Sequence, residues 1–432
     1  MSIQAWKIRG VFFGGALLVG LIAAIFAILS DYANHWFHQQ QSQTPWLPFI
    51  ITPVGLVIII WLTRKVFPGS QGSGIPQAIA TIEMNHHEDR SRLLNLKVAF
   101  GKVILTVAGL FSGASIGREG PTVHIGASIM YSLGHLAKFP HHFMERGLVM
   151  AGGAAGIAAA FNTPLAGIMF AIEEMSRSFE QRTSGNLITA VVIAGITAIA
   201  LQGNYTYFGS TKVEINLIGS ALLAVLVCGI IGGLCGGFFS FLLVHGSRKI
   251  MPIQAKWPLL IAAFCGLIIA VVGYASDGQS YGTGYNEART LISGEGGVDN
   301  HFTIYKVIST LASYLSGIPG GIFAPSLSAG AGLGSYISPF FSSTPETAIV
   351  ILCMTAFFAA VVQAPLTSII IVMEMTDNQT LLLPIMMSAF IAYGISKIIN
   401  HGALYRELAL PFIQQAKHEP KPPPKSETDH MV

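Results

Sequence analysis

The chain has 432 residues, 52% of them hydrophobic and only 10% charged, with a formal net charge of +3. Soluble globular domains carry about a quarter of their residues as charged side chains, so this composition excludes a soluble enzyme. So small a net charge gives no reason to expect a nucleic-acid partner.

In chain order, Lys7 and Arg9 precede an apolar run at 10–29. It is longer than a signal-peptide core and no small-residue cleavage site follows it, so it reads as a first membrane helix. Residues 31–45 read as a loop without Lys or Arg, and the positive-inside rule then puts the N-terminus in the cytoplasm. Apolar runs recur at 46–62, 98–110, 148–172, 187–201, 217–244, 257–274, 348–373 and 381–399. About 20 apolar residues cross a bilayer core, and several of these runs are shorter or broken by Gly and Pro. A barrel would show short alternating segments instead. The fold expected is an all-α polytopic membrane protein of the cell inner (plasma) membrane. Residues 1–408 form its transport domain and 409–432 a short cytoplasmic tail. The tail carries Lys417, Lys421 and Lys425 and a proline run, a composition that predicts disorder. Both ends inside requires an even number of crossings.

The two halves can be overlaid, one repeat spanning about 1–210 and the other about 211–408. Asn162-Thr163-Pro164-Leu165-Ala166 opens a segment ending Ile172-Glu173-Glu174-Met175, and Gln363-Ala364-Pro365-Leu366-Thr367 opens one ending Val372-Met373-Glu374-Met375. Pro164 to Glu173 and Pro365 to Glu374 are both nine residues; Gly117 to Pro164 is 47 and Gly321 to Pro365 is 44. A weaker match pairs Gly72-Ser73-Gly74-Ile75-Pro76 with Gly282-Thr283-Gly284-Tyr285-Asn286. An odd number of crossings per half makes the repeats inverted. Inverted repeats with broken helices place a transported substrate near the midplane.

Three glycine-containing turns end in proline where a helix is expected to begin: Gly72 to Pro76 before helix 78–84, Gly117-Arg118-Glu119-Gly120-Pro121 before helix 122–133, and Gly320 to Pro325 before helix 326–337. The first N–H groups of a helix lack intrahelical partners and its N-terminal end is positive. Three such ends brought together would bind an anion through partial charges. A buried lysine could hold the ion too tightly for conduction, and none lies in the three turns. Glu119 is an acid among apolar runs, and intramembrane acids are functional by default. Its carboxylate mimics an anion and can compete for the same donors. Burial raises a carboxyl pKa and a helix N-terminus lowers it, so such a group can exchange protons.

These segments resemble the signatures of the CLC family of chloride channels and proton-coupled chloride antiporters. GSGIP at 72–76, GREGP at 117–121 and GIFAP at 321–325 stand in the family's order, and the likeness covers nearly the whole chain. The resemblance implies a homodimer with one anion pathway per subunit. It implies that Ser73, Gly117, Arg118, Gly120, Ile322, Phe323 and Tyr405 line the anion site: Ser73 and Tyr405 through their hydroxyls, Ile322 and Phe323 through backbone N–H groups. It makes Glu119 the external gate and Glu174 the internal proton-transfer acid of exchangers. Serine at position 73 marks chloride-preferring relatives and proline marks nitrate-preferring ones. Gln77 departs from the glutamate of many relatives.

The repeat adds its own argument for Glu174. Glu173 is matched by Glu374, so both have a shared structural task, whereas Glu174 is matched by Met375. An acid near a helix C-terminus opposes the helix dipole, so the scaffold does not require it. The reading is a chloride/proton antiporter, with a passive channel of the same fold as the alternative and a non-conducting scaffold as a remoter rival. Chloride is the transported ligand and no cofactor is expected. No nucleophile–base pair suggests an enzyme. His86-His87-Glu88-Asp89 reads as a polar loop and, like His141-His142, not as a metal site. Cys228, Cys235, Cys265 and Cys353 lie in apolar runs and read as packing residues.

Overall fold

A computed structural model describes residues 3–84, 87–137, 143–176, 184–203 and 206–418. The first half comprises α1 (Ile3–Gln43), α2 (Pro48–Lys65), α3 (Ile75–Glu83), α4 (His87–Leu93), α5 (Leu96–Phe111), α6 (Glu119–Leu136), α7 (Phe143–Phe161), α8 (Pro164–Phe170), a π-helical turn (Ala171–Ser176) and α9 (Ser184–Gln202). The second comprises α10 (Ser220–Lys256), α11 (Pro258–Ala275), α12 (Tyr285–Ser293), α13 (Phe302–Leu315), α14 (Phe323–Ile337), α15 (Glu346–Val362), α16 (Pro365–Thr376), α17 (Leu382–Ile399) and α18 (Leu404–His418). Among the described residues extended pairing is limited to two isolated bridges. Among the described residues seven helices are long and apolar enough to cross a membrane, and the protein is a multi-pass membrane protein.

The duplication is visible residue by residue. α6 packs on α7 as α14 packs on α15; α1 packs on α9 as α10 packs on α17. Asn162 and Gln363, at the breaks before Pro164 and Pro365, both have φ 58°. Thr163 (φ −129°, ψ 81°) and Ala364 (φ −128°, ψ 79°) are nearly superimposable. Proline forces the residue before it out of the helical region, and a left-handed residue ahead of that completes the reversal. Gly74 (φ 99°) and Gly284 (φ 82°) likewise start α3 and α12, which bears out the weaker overlay. The symmetry closes on itself at one point: Gly117 and Gly321 donate N–H bonds to each other's carbonyls, both 2.7 Å. Equivalent residues that exchange both bonds in an antiparallel bridge are related by a two-fold rotation, as inverted repeats require.

Small residues let the helices approach. A side chain at Gly232 or Gly236 of α10 would strike Ala356 or Phe357 of α15, and one at Gly233 would strike Ala392 of α17. Close packing of this kind drives helix association where lipid removes the hydrophobic contrast.

Four expectations need correction. Residues 31–43 are not a loop but the last part of α1, whose 41 residues span roughly 60 Å at 1.5 Å per residue. That exceeds the ~30 Å hydrocarbon core, so the polar end, free of Gly and Pro, continues as helix beyond it. Second, α3, α6 and α14 each begin three residues earlier than expected, so the prolines sit inside the first turn. The first four N–H groups of a helix have no partner, so proline there costs no bond. Third, the expected tail at 409 starts late: α18 runs to His418 with Ala409 buried, and 419–432 lie outside the described residues. Fourth, His87 and Asp89 belong to the short helix α4; His86, His141 and His142 lie outside the described residues.

Candidate functional site

The three glycine turns meet, and backbone bonds tie them. Gly72 N–H donates to Ile318 (3.2 Å) and Gly320 N–H donates to Gly72 (3.2 Å), while the Gly117–Gly321 exchange joins the other two. The N-termini of α3, α6 and α14 therefore converge inside the protein. A Cβ on Gly321 would lie 3.1 Å from both Gly117 O and Gly120 N, a tight contact that the missing side chain of glycine avoids.

The predicted donors line this junction. Among the described residues no backbone carbonyl accepts the N–H groups of Ile322 and Phe323, the N-cap and first residue of α14. Ser73 and Tyr405 are wholly buried, and their hydroxyls have no hydrogen-bond partner. A buried hydroxyl left without a partner costs about 1–3 kcal/mol, and native structures keep few of them. The Ser73 hydroxyl lies against Gly120 Cα. The Tyr405 ring stacks on Phe323, centroids 5.8 Å apart and planes 17° apart. A cavity of about 280 Å³, lined by Ser73, Gln77, Arg248, Gln254, Tyr314 and Glu407 among others, leads to this point.

Glu119 is the first residue of α6 and fully buried. One carboxylate oxygen accepts from the Tyr285 hydroxyl at 2.6 Å. The carboxylate also faces the backbone N–H groups of its own residue and of Ala324, so it sits on the same helix end that offers Ile322 and Phe323. Arg118, its neighbour, turns elsewhere. Its guanidinium donates to Ala27 O (2.8 Å) and Tyr207 OH (2.8 Å) and pairs with Asp31 of α1 at 2.7 Å. Gly117, Glu119, Gly120, Ser73, Ile322, Phe323 and Tyr405 are thus brought together, whereas the Arg118 side chain is committed to α1 and Tyr207.

Glu173 and Glu374 have the shared task that the overlay suggested. Glu374 accepts from the N–H groups of Leu165 (3.2 Å) and Ala166 (2.8 Å), and Glu173 accepts from Leu366 (3.1 Å) and Thr367 (2.6 Å). Each acid caps the opposite repeat's helix start. Glu174 takes no part in this exchange. It is buried in the π-helical turn, where the first repeat departs from the regular α16 of the second. Such turns are frequent at functional sites. The Tyr405 hydroxyl lies within electrostatic range of both Glu174 and Glu119.

Sequence reasoning missed two residue pairs. Tyr285 and Tyr207 carried no motif. Lys102 and Lys306 lie outside the turns but reach them from behind. Lys102 Nζ sits 3.4 and 3.2 Å from the carbonyls of Gln71 and Gly72, and Lys306 Nζ 3.2, 3.1 and 2.8 Å from those of Ser280, Tyr281 and Gly282. Their separation of 204 equals that of Gly117 and Gly321, a signal the overlay could have used. Each lysine thus holds together the carbonyls of the turn that precedes a helix start, Lys102 before α3 and Lys306 before α12.

A profile of the voltage gated chloride channel family matches residues 54–397. The H(+)/Cl(-) exchange transporter ClcA of Klebsiella pneumoniae subsp. pneumoniae is 30% identical over 418 residues, covering 90% of this chain and 86% of that protein. ClcA of Yersinia pestis is 31% identical over 427 residues, covering 90% and 85%. Among solved structures, a slow cyanobacterial Cl-/H+ antiporter superposes with a TM-score of 0.80 at 25% identity, covering 95% of this chain and 98% of that one.

Proposed function

We propose that this chain, which belongs to the voltage gated chloride channel family, exchanges chloride for protons across a membrane. The observation that carries the reading is the pair of buried acids, Glu119 at the start of α6 and Glu174 in the π-helical turn, neither of which has an acid at the matching position of the second repeat. An anion path by itself needs neither acid, and burying two carboxyl groups is costly unless they are used. The similar proteins named as H(+)/Cl(-) exchangers support the same reading.

In this proposal chloride passes the cavity beside Ser73. It rests against the Ser73 and Tyr405 hydroxyls and the N–H groups of Ile322 and Phe323. Partial charges hold it firmly enough to enter and loosely enough to leave. The Glu119 carboxylate competes for the end of α14 and vacates it when protonated. Glu174 passes the proton on the other side of Tyr405. Gly117 and Gly120 give the backbone its close approach. Arg118 orients the start of α6 through α1 and Tyr207 without touching the ion. The chain works without a cofactor, as a homodimer in the inner membrane, with both termini in the cytoplasm.

The test is proton movement in liposomes holding the purified protein, under an imposed chloride gradient with the potential clamped. Proton flux driven against its own gradient establishes exchange. Chloride flux without coupled protons would make the protein a passive channel and remove Glu174 from its role.

A further inference from the structure

We propose that Tyr285 is the positioning residue that holds the Glu119 carboxylate in its seat, with the Arg118–Tyr207 pair as its buttress. The inference rests on the exchange reading of Glu119 given above.

The starting observation is the 2.6 Å bond from the Tyr285 hydroxyl to Glu119. A phenol donating to an ionised carboxylate makes a charge-assisted bond, about twice as strong as a neutral one. The seat is rigid. Gly284, left-handed at φ 82°, caps α12, and Tyr285 is the first residue of that helix. Lys306 from α13 fixes the preceding turn through three carbonyls. On the other side the Tyr207 ring lies 4.2 Å from that of Tyr285. Tyr207 is itself placed by the segment joining the two halves, where the N–H groups of Phe208 and Thr211 donate to Met375 and Thr376 at the end of α16. Its hydroxyl accepts from Arg118, which is anchored on Asp31. Asp31 is exposed, so the series Asp31, Arg118, Tyr207, Tyr285, Glu119 runs from the surface to the gate.

The repeat gives an independent argument. α12 is the counterpart of α3, and Tyr285 falls where the first half has Ile75, a buried apolar side chain. The scaffold builds this helix start without a hydroxyl. Its presence in one half only, against the one carboxylate at the junction, matches the asymmetry of Glu174 and Met375. Because the Glu119 carboxylate shares the end of α14 with the anion, any bond that favours its seat disfavours the ion.

The experiment is isothermal titration of chloride into purified protein at neutral pH, comparing wild type, Tyr285→Phe, Glu119→Gln and the double variant. Loss of one bond to a charged group is worth about tenfold in a competing equilibrium. Tyr285→Phe should therefore bind chloride up to about tenfold more tightly than wild type, with no further gain when added to Glu119→Gln. Tyr207→Phe keeps the Tyr285 hydroxyl and should shift the affinity in the same direction by less. Wild-type affinity in Tyr285→Phe, or an equal gain in the Glu119→Gln background, overturns the proposal. Wild-type affinity in Tyr207→Phe overturns the buttress. A wild type that neither binds nor exchanges chloride removes the function the inference rests on. Wild-type exchange with an unmoved Tyr285→Phe affinity overturns the inference alone.

Discussion

The two repeats share a backbone and differ in what they mount on it. At the start of α6 stands Glu119, and at the equivalent start of α14 stands Phe323. The first places a carboxylate at the junction, the second a ring that stacks on Tyr405. At the ends of the paired broken helices, Glu173 and Glu374 do the same work for opposite partners, whereas Glu174 faces Met375 in the overlay. Glu173 and Glu374, which match across the repeats, close the scaffold, whereas Glu119 and Glu174, to which we assign the proton transfer, have no acid opposite them. Duplication supplies a control within one molecule: the second half builds the same helix start without a carboxylate at the position of Glu119.

Four experiments break or sharpen this comparison. Glu119→Gln removes the unmatched acid at the junction. Coupled proton flux in liposomes should fall at least ~100-fold, in the range lost with a proton-transfer group, while chloride flux persists; retained coupling would take Glu119 out of the gate. Glu174→Val removes the second unmatched acid, and proton movement should again be lost with chloride flux spared. Pumping at the wild-type rate in that variant would mean the asymmetry is incidental. The matched acids should behave in the opposite way. Glu173→Ala and Glu374→Ala each strip two N–H groups of their acceptor, and each should lower stability by about 1–3 kcal/mol, read as a lowered melting temperature in detergent. Unequal costs, or none, would deny the shared role. Ser73→Pro should have the smallest effect, a shift of the nitrate-to-chloride flux ratio toward nitrate at similar total flux. An unchanged ratio would remove the hydroxyl from selectivity.

Much of this was legible from residue order. The glycine turns, the Pro164 and Pro365 breaks and the Glu173–Glu374 match all leave local marks, because tight backbone and helix starts need particular residues. Helix limits were less legible. The helices after the glycine turns start three residues upstream of where the prolines pointed, and the polar end of α1 looked like a loop because composition does not distinguish a protruding helix from one. Tyr285 left no mark at all. It stands in the weaker of the repeat matches, opposite an isoleucine, and a tyrosine in a glycine-rich turn is unremarkable until its hydroxyl is seen against Glu119. Arg118 entered through the resemblance alone, which says nothing about where a side chain points, and its guanidinium reaches α1 and Tyr207.

The sequence by itself determined the class, the duplication and the identity of the groups at the junction. Apolar length, glycine and proline act over a few residues, and their consequences can be read without knowing where the chain goes next. Only the tertiary structure decided which groups face one another: that three turns 45 to 249 residues apart share backbone bonds, that each repeat caps the other's helices, and that Tyr285 meets Glu119. The overlay shows which positions are equivalent in the two halves, but which side chains and N–H groups meet across them is set by the packing of helices distant in the chain, which residue order does not record.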